Sequence, residues 1–87
     1  MRLDKYLKVS RLIKRRTVAA EAASTGHVSL NGRPAKPASD VKVGDRITVR
    51  FGSSETEYEV LAVSEHMPKA GAAGMYRLIS GTEEEEA

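Results

Sequence analysis

The sequence contains no cysteine and no tryptophan, and it has only one phenylalanine and three tyrosines. Without cysteine the chain forms no disulfide and offers no thiolate to a metal ion. No apolar run approaches the roughly 20 residues of a membrane span. Because there is also no apolar signal segment, we expect a cytoplasmic protein with no membrane partner. A core made mostly of Val, Leu, Ile and Ala is too thin for a deep pocket, so a large ligand is not expected.

The length of 87 residues suits a single small domain. We expect this domain to occupy residues 1–80. Residues 81–87 contain four adjacent glutamates, which repel one another and bury nothing, so we expect a disordered acidic tail there.

The net charge of +2 conceals a strong asymmetry along the chain. Residues 1–50 hold twelve Lys or Arg against four carboxylates, a net +8, whereas residues 51–87 hold two against eight, a net −6. The first sixteen residues alone hold seven basic side chains and one acidic one. This density predicts a phosphate-binding surface. The alternative is a solvated helix face, but such faces usually mix charges of both signs.

Two short helices are predicted in the basic half. Leu3, Tyr6 and Leu7 recur at helical spacing, which predicts a helix over residues 2–10 with Lys5 and Lys8 pointing outward. A second helix is predicted over residues 17–24, with Thr17 as its N-cap and Gly26 as its C-terminal stop. Its packing face is expected to consist of small residues, namely Val18, Ala19, Ala22 and Ala23.

From His27 onward the apolar period shortens to that of strands. Val28 and Leu30 precede an Asn-Gly turn, which predicts a hairpin. Two further strands are predicted at residues 47–51 and 57–63, and a last one in "MYRLI". The stretch "SEHMPKAGAAG" lacks periodicity and is predicted to be a loop. The fold class is therefore α+β, with two N-terminal helices packed on a small antiparallel β-sheet.

The candidate RNA-binding residues lie in and between the two helices. Leu12 and Ile13 are expected to hold the connecting turn on the core while the charges beside them face phosphate. Arginine can bind phosphate through two parallel hydrogen bonds, whereas lysine acts as a mobile point charge. The predicted set is Arg2, Lys5, Lys8, Arg11, Lys14, Arg15, Arg16 and Thr17.

The residues give no support for catalysis. We find no nucleophile beside a base, no paired carboxylates and no glycine-rich phosphate loop. His27 and His66 lack an acidic cluster, so no metal and no cofactor are expected, and His27 is predicted to be structural or RNA-facing. Asp4 stands alone among cations, and its expected role is to orient Arg or Lys side chains.

Residues 2–49 resemble the αL RNA-binding motif first described in ribosomal protein S-four. Four submotifs occur in the order typical of that family: R-x-D-x-x-L from Arg2, R-R-T-x-A from Arg15, G-H-V-x-L-N-G from Gly26 and G-D-x-I from Gly44. The sequence departs from the family at Arg15, where serine is usual. The Arg16 position is retained.

A chain that is almost only this motif also resembles the stand-alone ribosome-associated quality-control factors of Gram-positive bacteria. It is related as well to a small heat-shock protein that binds stalled large ribosomal subunits. The resemblance implies binding to the 50S subunit carrying peptidyl-tRNA, with contacts to 23S rRNA and the P-site tRNA. We expect the protein to be a monomer. The resemblance also implies cooperation with the tailing factor RqcH, which adds C-terminal alanines, and no covalent chemistry by this chain. Arg2 and Arg16 match the family's rRNA-contacting positions, while the other basic candidates rest on their charge.

Three alternatives stay open. A DNA-binding helix–turn–helix protein would need base-reading polar side chains, and the second helix is mostly alanine. The chain could also be a general structured-RNA-binding module or an accessory domain of an RNA-modifying enzyme. The initial methionine and the acidic tail favour a complete protein instead.

Overall fold

The computed structural model describes residues 1–81, and the remaining residues of the predicted acidic tail lie outside the described part. The predicted α+β class is confirmed. The elements in chain order are α1 (Leu3–Val9), α2 (Arg16–Ser24), β1 (Val28–Leu30), β2 (Arg33–Pro34), β3 (Arg46–Phe51), β4 (Ser54–Val60), α3 (Lys69–Ala72), a 3₁₀ turn (Ala73–Met75) and β5 (Tyr76–Ser80). Within residues 1–81, no helix has the length and apolar character that crossing a membrane requires.

The five strands form one antiparallel sheet in the order β2-β1-β3-β4-β5. The predicted hairpin between β1 and β2 is present. Asn31 and Gly32 both adopt positive φ, at 54° and 82°, which matches the twist of a two-residue hairpin turn and explains why this dipeptide lies there. Register follows from the alternation in β3, because Ile47 and Val49 are buried while Arg46 faces outward.

The core lies between the inner face of the sheet and the two N-terminal helices. Helix α1 contributes Leu3, Tyr6 and Leu7, which are fully buried as their spacing predicts. Helix α2 contributes its alanines, Ala19, Ala22 and Ala23. The prediction that Val18 belongs to the packing face of α2 is wrong, since 42% of this residue is exposed. Short alanine side chains let α2 approach closely, and the larger valine lies at the rim of the contact.

The loop predicted over residues 64–74 is confirmed only as far as residue 68. Residues 69–75 form α3 and the 3₁₀ turn, and both Ala72 and Met75 are buried. The Oη of Tyr6 donates a hydrogen bond of 2.6 Å to the main-chain oxygen of Met75, so the segment is attached directly to α1. Strand β4 ends at Val60 rather than at residue 63, because the chain then leaves the sheet toward this turn.

The start of α1 is fixed to the segment that precedes β3. The main-chain N–H groups of Leu3 and Asp4 donate to the carbonyl oxygens of Ser39 and Pro37, at 2.8 and 3.1 Å. These bonds satisfy N–H groups that have no partner inside the helix. The position of Arg2, one residue before α1, is thereby fixed as well.

Candidate nucleic-acid interface

Asp4 joins the starts of the two helices electrostatically. It lies in the first turn of α1 with only 5% of its side chain exposed. The Nε and Nη2 atoms of Arg2 donate to its two carboxylate oxygens, each at 3.1 Å. The Nη2 of Arg16, the first residue of α2, lies 3.5 Å from Oδ1 of the same carboxylate. The two arginines that best match the αL motif are therefore held side by side, as the orienting role predicted for Asp4 requires.

The pKa of Asp4 reflects this arrangement. Burial alone would raise it, but the hydrogen bonds from Arg2 and the charge of Arg16 outweigh burial and hold the pKa below its usual value. The hydrogen bond to Asp4 likewise raises the pKa of Arg2. About half of each guanidinium side chain is exposed, 53% for Arg2 and 47% for Arg16, so each keeps donors for an incoming phosphate.

The turn between the helices is fixed by its apolar residues, as predicted. Ile13 is buried and Leu12 packs against the core, while the N–H of Ile13 donates to the carbonyl oxygen of Leu7 at 3.0 Å. Arg11 follows the C-cap of α1 and has a φ of +65°. Glycine is usual at this position, because a side chain is strained there. An exposed arginine therefore occupies a position whose backbone conformation favours glycine.

The N-cap of α2 is Arg15, so the prediction of Thr17 as the N-cap is wrong. Arg15 has extended backbone angles, and its carbonyl oxygen accepts the first helical hydrogen bond, from Ala19 at 3.0 Å. The N-cap is therefore Arg15, and Thr17 is the second residue of the helix, in its first turn, with an exposed side chain. No side chain caps this end and its first turn holds no acidic residue. The main-chain N–H groups of this nine-residue helix thus add to the positive potential of the arginines beside them.

The remaining basic candidates fall into two groups. Lys5 forms an ion pair with Glu65, in the segment after β4, at 2.5 Å. The exposed side chains of Lys8, Arg11, Lys14 and Arg15 have no carboxylate within ion-pairing distance in the part of the chain that the structure describes. We name the surface formed by Arg2, Lys8, Arg11, Lys14, Arg15 and Arg16 the basic surface.

The outer face of the sheet is different. Its three arginines are each paired with a glutamate on β4: Arg46 with Glu57 at 3.5 Å, Arg50 with Glu55 at 3.5 Å, and Arg77 with Glu59. Their positive charge is therefore locally balanced. Cations without an ion-pair partner among the described side chains are most numerous at the two helices and their turn, and Arg33 and Lys36 are two further ones near the hairpin.

The sequence did not predict an aromatic pair at the other end of α2. Phe51 is 49% exposed, and its ring is nearly parallel to that of His27, with centroids 6.4 Å apart. The alternation of apolar residues along β3 would by itself put Phe51 on the inner face of the sheet together with Ile47 and Val49. The signal that could have located it is its position as the last residue before the turn at Gly52, where the core ends. No group of three or more His, Asp or Glu in residues 1–81 could hold a metal ion.

Comparison with known proteins defines the class to which this architecture belongs. The family model described as S4 domain matches residues 1–47, which include both helices, the basic surface and the hairpin. The chain is 52% identical to the RQC P-site tRNA stabilizing factor of Streptococcus pneumoniae over 99% of this chain and 98% of that one. It is 53% identical to the protein of the same name from Bacillus subtilis, over 91% and 92% of the two chains. The chain belongs to the S4-domain proteins and, among them, to the family of these stabilizing factors.

A solved structure agrees with this assignment. Heat Shock Protein 15 of Vibrio cholerae, described as trimeric, is 33% identical and superposes with a TM-score of 0.83, covering 92% of this chain and 82% of that one. The agreement extends beyond residue 47 into β4 and β5. The resemblance to the αL motif is confirmed, and the chain is an RNA-binding protein of the S4 type.

Proposed function

We propose that the protein binds the large ribosomal subunit carrying peptidyl-tRNA, contacts 23S rRNA and the P-site tRNA, and thereby supports C-terminal alanine tailing by the tailing factor RqcH. In this proposal it acts as a cytoplasmic monomer, with residues 1–80 as the RNA-binding domain. The names of its relatives, RQC P-site tRNA stabilizing factors, support this role.

The observation that carries the proposal is the attachment of Arg2 and Arg16 to the buried carboxylate of Asp4. Because the arginines are positioned before RNA arrives, less side-chain entropy is lost on binding. A-form RNA offers phosphates and 2′-hydroxyls along its shallow minor groove, and it is recognised mainly by shape. Two guanidinium groups in a fixed relation suit such a target better than an equal number of mobile lysines do.

The proposed role is binding without catalysis. The RNA-facing side chains are arginines, lysines and one threonine, and the carboxylate beside them, Asp4, is engaged by Arg2 and Arg16. Binding alone can drive a tailing cycle, because favouring one tRNA position by about 1.4 kcal/mol shifts that equilibrium tenfold. The four phosphate-facing arginines, Arg2, Arg11, Arg15 and Arg16, together can supply this difference.

The test is a reconstituted alanine-tailing reaction with split large subunits, charged tRNA and the tailing factor. We expect tailing to require this protein and to fail with Arg2→Ala/Arg16→Ala. The matched control is Arg46→Ala/Arg77→Ala, which removes two arginines of similar exposure, 55% and 63%, from the outer face of the sheet. Full tailing with the first double variant, or equal loss with both, would contradict the proposal.

A further inference from the structure

An open cleft of about 270 Å³ lies between the outer side of α2 and the end of β3. It is too small for a drug-sized ligand, since pockets for such ligands span roughly 300–1,000 Å³. It is lined by Val18, Glu21, Ala22, Thr25, His27 and Phe51.

The aromatic side of the cleft is ordered by the protein itself. The rings of His27 and Phe51 differ by only 14° in orientation. The Oγ1 of Thr25 donates to the main-chain oxygen of Glu21 at 2.8 Å and lies 2.8 Å from Nδ1 of His27. Since the hydroxyl hydrogen is engaged by the carbonyl, Nδ1 acts as the donor to Oγ1, and this bond orients the imidazole. The cleft therefore presents flat apolar surface without a rearrangement.

We infer that this cleft binds a single unpaired guanine base of the RNA whose phosphates contact the basic surface. The inference rests on the proposed RNA-binding function and adds a base-recognition site to it. Unpaired bases in RNA stack on exposed aromatic rings, which bury apolar area on both partners. Exposed to 49%, Phe51 is the largest apolar side chain that the structure leaves available in this region.

Glu21 selects guanine among the four bases. Among the basic side chains that the structure describes, none pairs with its exposed carboxylate, although it lies in the strongly basic half of the chain. The Watson–Crick edge of guanine carries two adjacent donors, N1–H and the N2 amino group, which match two carboxylate oxygens. Adenine, cytosine and uracil each place an acceptor beside their donor, which repels a carboxylate. A bidentate, charge-assisted contact of this kind is both strong and specific.

The cleft is continuous with the basic surface along α2. Val18, at the near rim, is the third residue of α2, and Arg15 is the N-cap of the same helix, within one turn of it. A strand whose phosphates contact Arg15 can therefore direct an adjacent base into the cleft. This continuity favours RNA as the occupant over a protein partner.

Binding to short RNA hairpins tests the site. Two hairpins that differ only in one bulged nucleotide, guanine or adenine, are titrated with the protein, together with a fully paired hairpin. We expect the hairpin with the guanine bulge to bind roughly fivefold tighter or more than either of the other two hairpins. A factor of about five is the lower range of base–aromatic stacking and of hydrogen-bonded readout. Phe51→Ala is expected to remove this gain while affinity for the paired hairpin is retained.

A second variant makes the test independent of folding. Glu21→Gln changes an exposed side chain, and we expect it to reduce the ratio of guanine to adenine affinity while stacking is preserved. Equal wild-type affinity for the two bulges would overturn the inference and leave the proposed function intact. Failure of the wild type to bind any hairpin or the subunit would count against the proposed function itself.

Chemical probing of the complex identifies the RNA that supplies the base. Kethoxal modifies N1 and N2 of unpaired guanines, so a guanine in the cleft is protected. We expect one protected guanine with the wild type and none at that position with Phe51→Ala, read separately in 23S rRNA and in the bound tRNA. Protection in either RNA supports the inference and assigns its source. No Phe51-dependent protection in both would overturn it.

Discussion

The phenolic Oη of Tyr6 donates a hydrogen bond to the main-chain oxygen of Met75 at a distance of 2.6 Å. Tyr6 belongs to the N-terminal helix of the S4 motif, and Met75 lies beyond the residues that the family model matches. Both residues are fully buried. The S4 motif and the C-terminal segment are therefore one folding unit, and the geometry of the basic surface depends on residues far along the chain.

Tyr6→Phe tests this connection. The substitution removes this hydrogen bond, while the Met75 carbonyl oxygen keeps the main-chain donor of Leu61 at 2.8 Å. The free energy of unfolding should therefore fall by about 0.5–1.5 kcal/mol, the net contribution of one hydrogen bond. Urea unfolding followed by circular dichroism measures the change. Val43→Ala, at a residue 61% exposed, is the control and should change stability by less than about 0.5 kcal/mol. Equal effects of the two substitutions would contradict a specific role for the hydrogen bond.

Asp4→Asn separates orientation from total charge. The substitution makes the protein more positive, so charge alone predicts tighter RNA binding. Because Arg2 and Arg16 lose the carboxylate that holds them, we expect binding to the large subunit to weaken by roughly two- to tenfold, the cost of ordering one long side chain on binding. Quantitative sedimentation at fixed salt measures the affinity. Tighter binding would show that Asp4 only reduces the charge of the surface.

The same carboxylate predicts a pH dependence of stability. The pKa of Asp4 is lower in the folded protein than in the unfolded chain, where it is about 4. The stabilising contribution of Asp4 is therefore fully present above about pH 4 and is lost as the pH falls through the pKa of the folded state. We expect the stability difference between wild type and Asp4→Asn to be about 1–2 kcal/mol at pH 7. Urea titrations between pH 7 and pH 3 should show this difference shrinking at the acid end. A constant difference would contradict the ion-pair explanation.

Strong local signals allowed much of the fold and part of the site to be predicted from the sequence. The spacing of Leu3, Tyr6 and Leu7 can satisfy only a helix with one buried face, and the Asn-Gly pair adopts the positive φ angles that a hairpin requires. The orienting role of Asp4 followed from electrostatics, because a lone carboxylate among cations is ionised and paired. Each of these inferences needed only neighbouring residues.

The errors occurred where distant contacts decide the structure. Residues 69–75 are rich in Ala and Gly and carry no amphipathic pattern, and they become ordered because Ala72 and Met75 pack on the core and Tyr6 bonds to the turn. The cap of α2 was misplaced because hydroxyl residues usually hold that position. Alternation along β3 would put Phe51 in the core, but β3 extends past the edge of the core and Phe51 is 49% exposed.

Arg11 is expected to destabilise the fold and to strengthen binding to the large subunit. Its positive φ of 65° is strained for any residue with a side chain. Arg11→Gly should therefore stabilise the fold by about 0.5–1 kcal/mol, since the added flexibility of the unfolded chain offsets part of the relief. It should also weaken subunit binding and reduce the slope of log K against log salt by roughly 0.7–0.9 if one phosphate contact is lost. Thermal melts and salt titrations measure the two effects. A loss of stability would mean that the arginine side chain supports the turn.

Glu65 is expected to compete with RNA for Lys5. Of the helix lysines predicted to bind RNA, Lys5 is the one whose Nζ is already held, 2.5 Å from a carboxylate oxygen of Glu65, and that contact lowers the pKa of Glu65. Phosphate must displace this carboxylate before Lys5 can contribute. Glu65→Gln should therefore tighten binding to the large subunit by up to about fivefold, which corresponds to an exposed ion pair of at most about 1 kcal/mol.

A double-mutant cycle with Lys5→Ala distinguishes direct competition from a general gain in positive charge. If Glu65 acts through Lys5, Glu65→Gln has no effect in the Lys5→Ala background. An equal gain in both backgrounds would show that Glu65 acts at long range, and Lys5 would then have no special place in the interface.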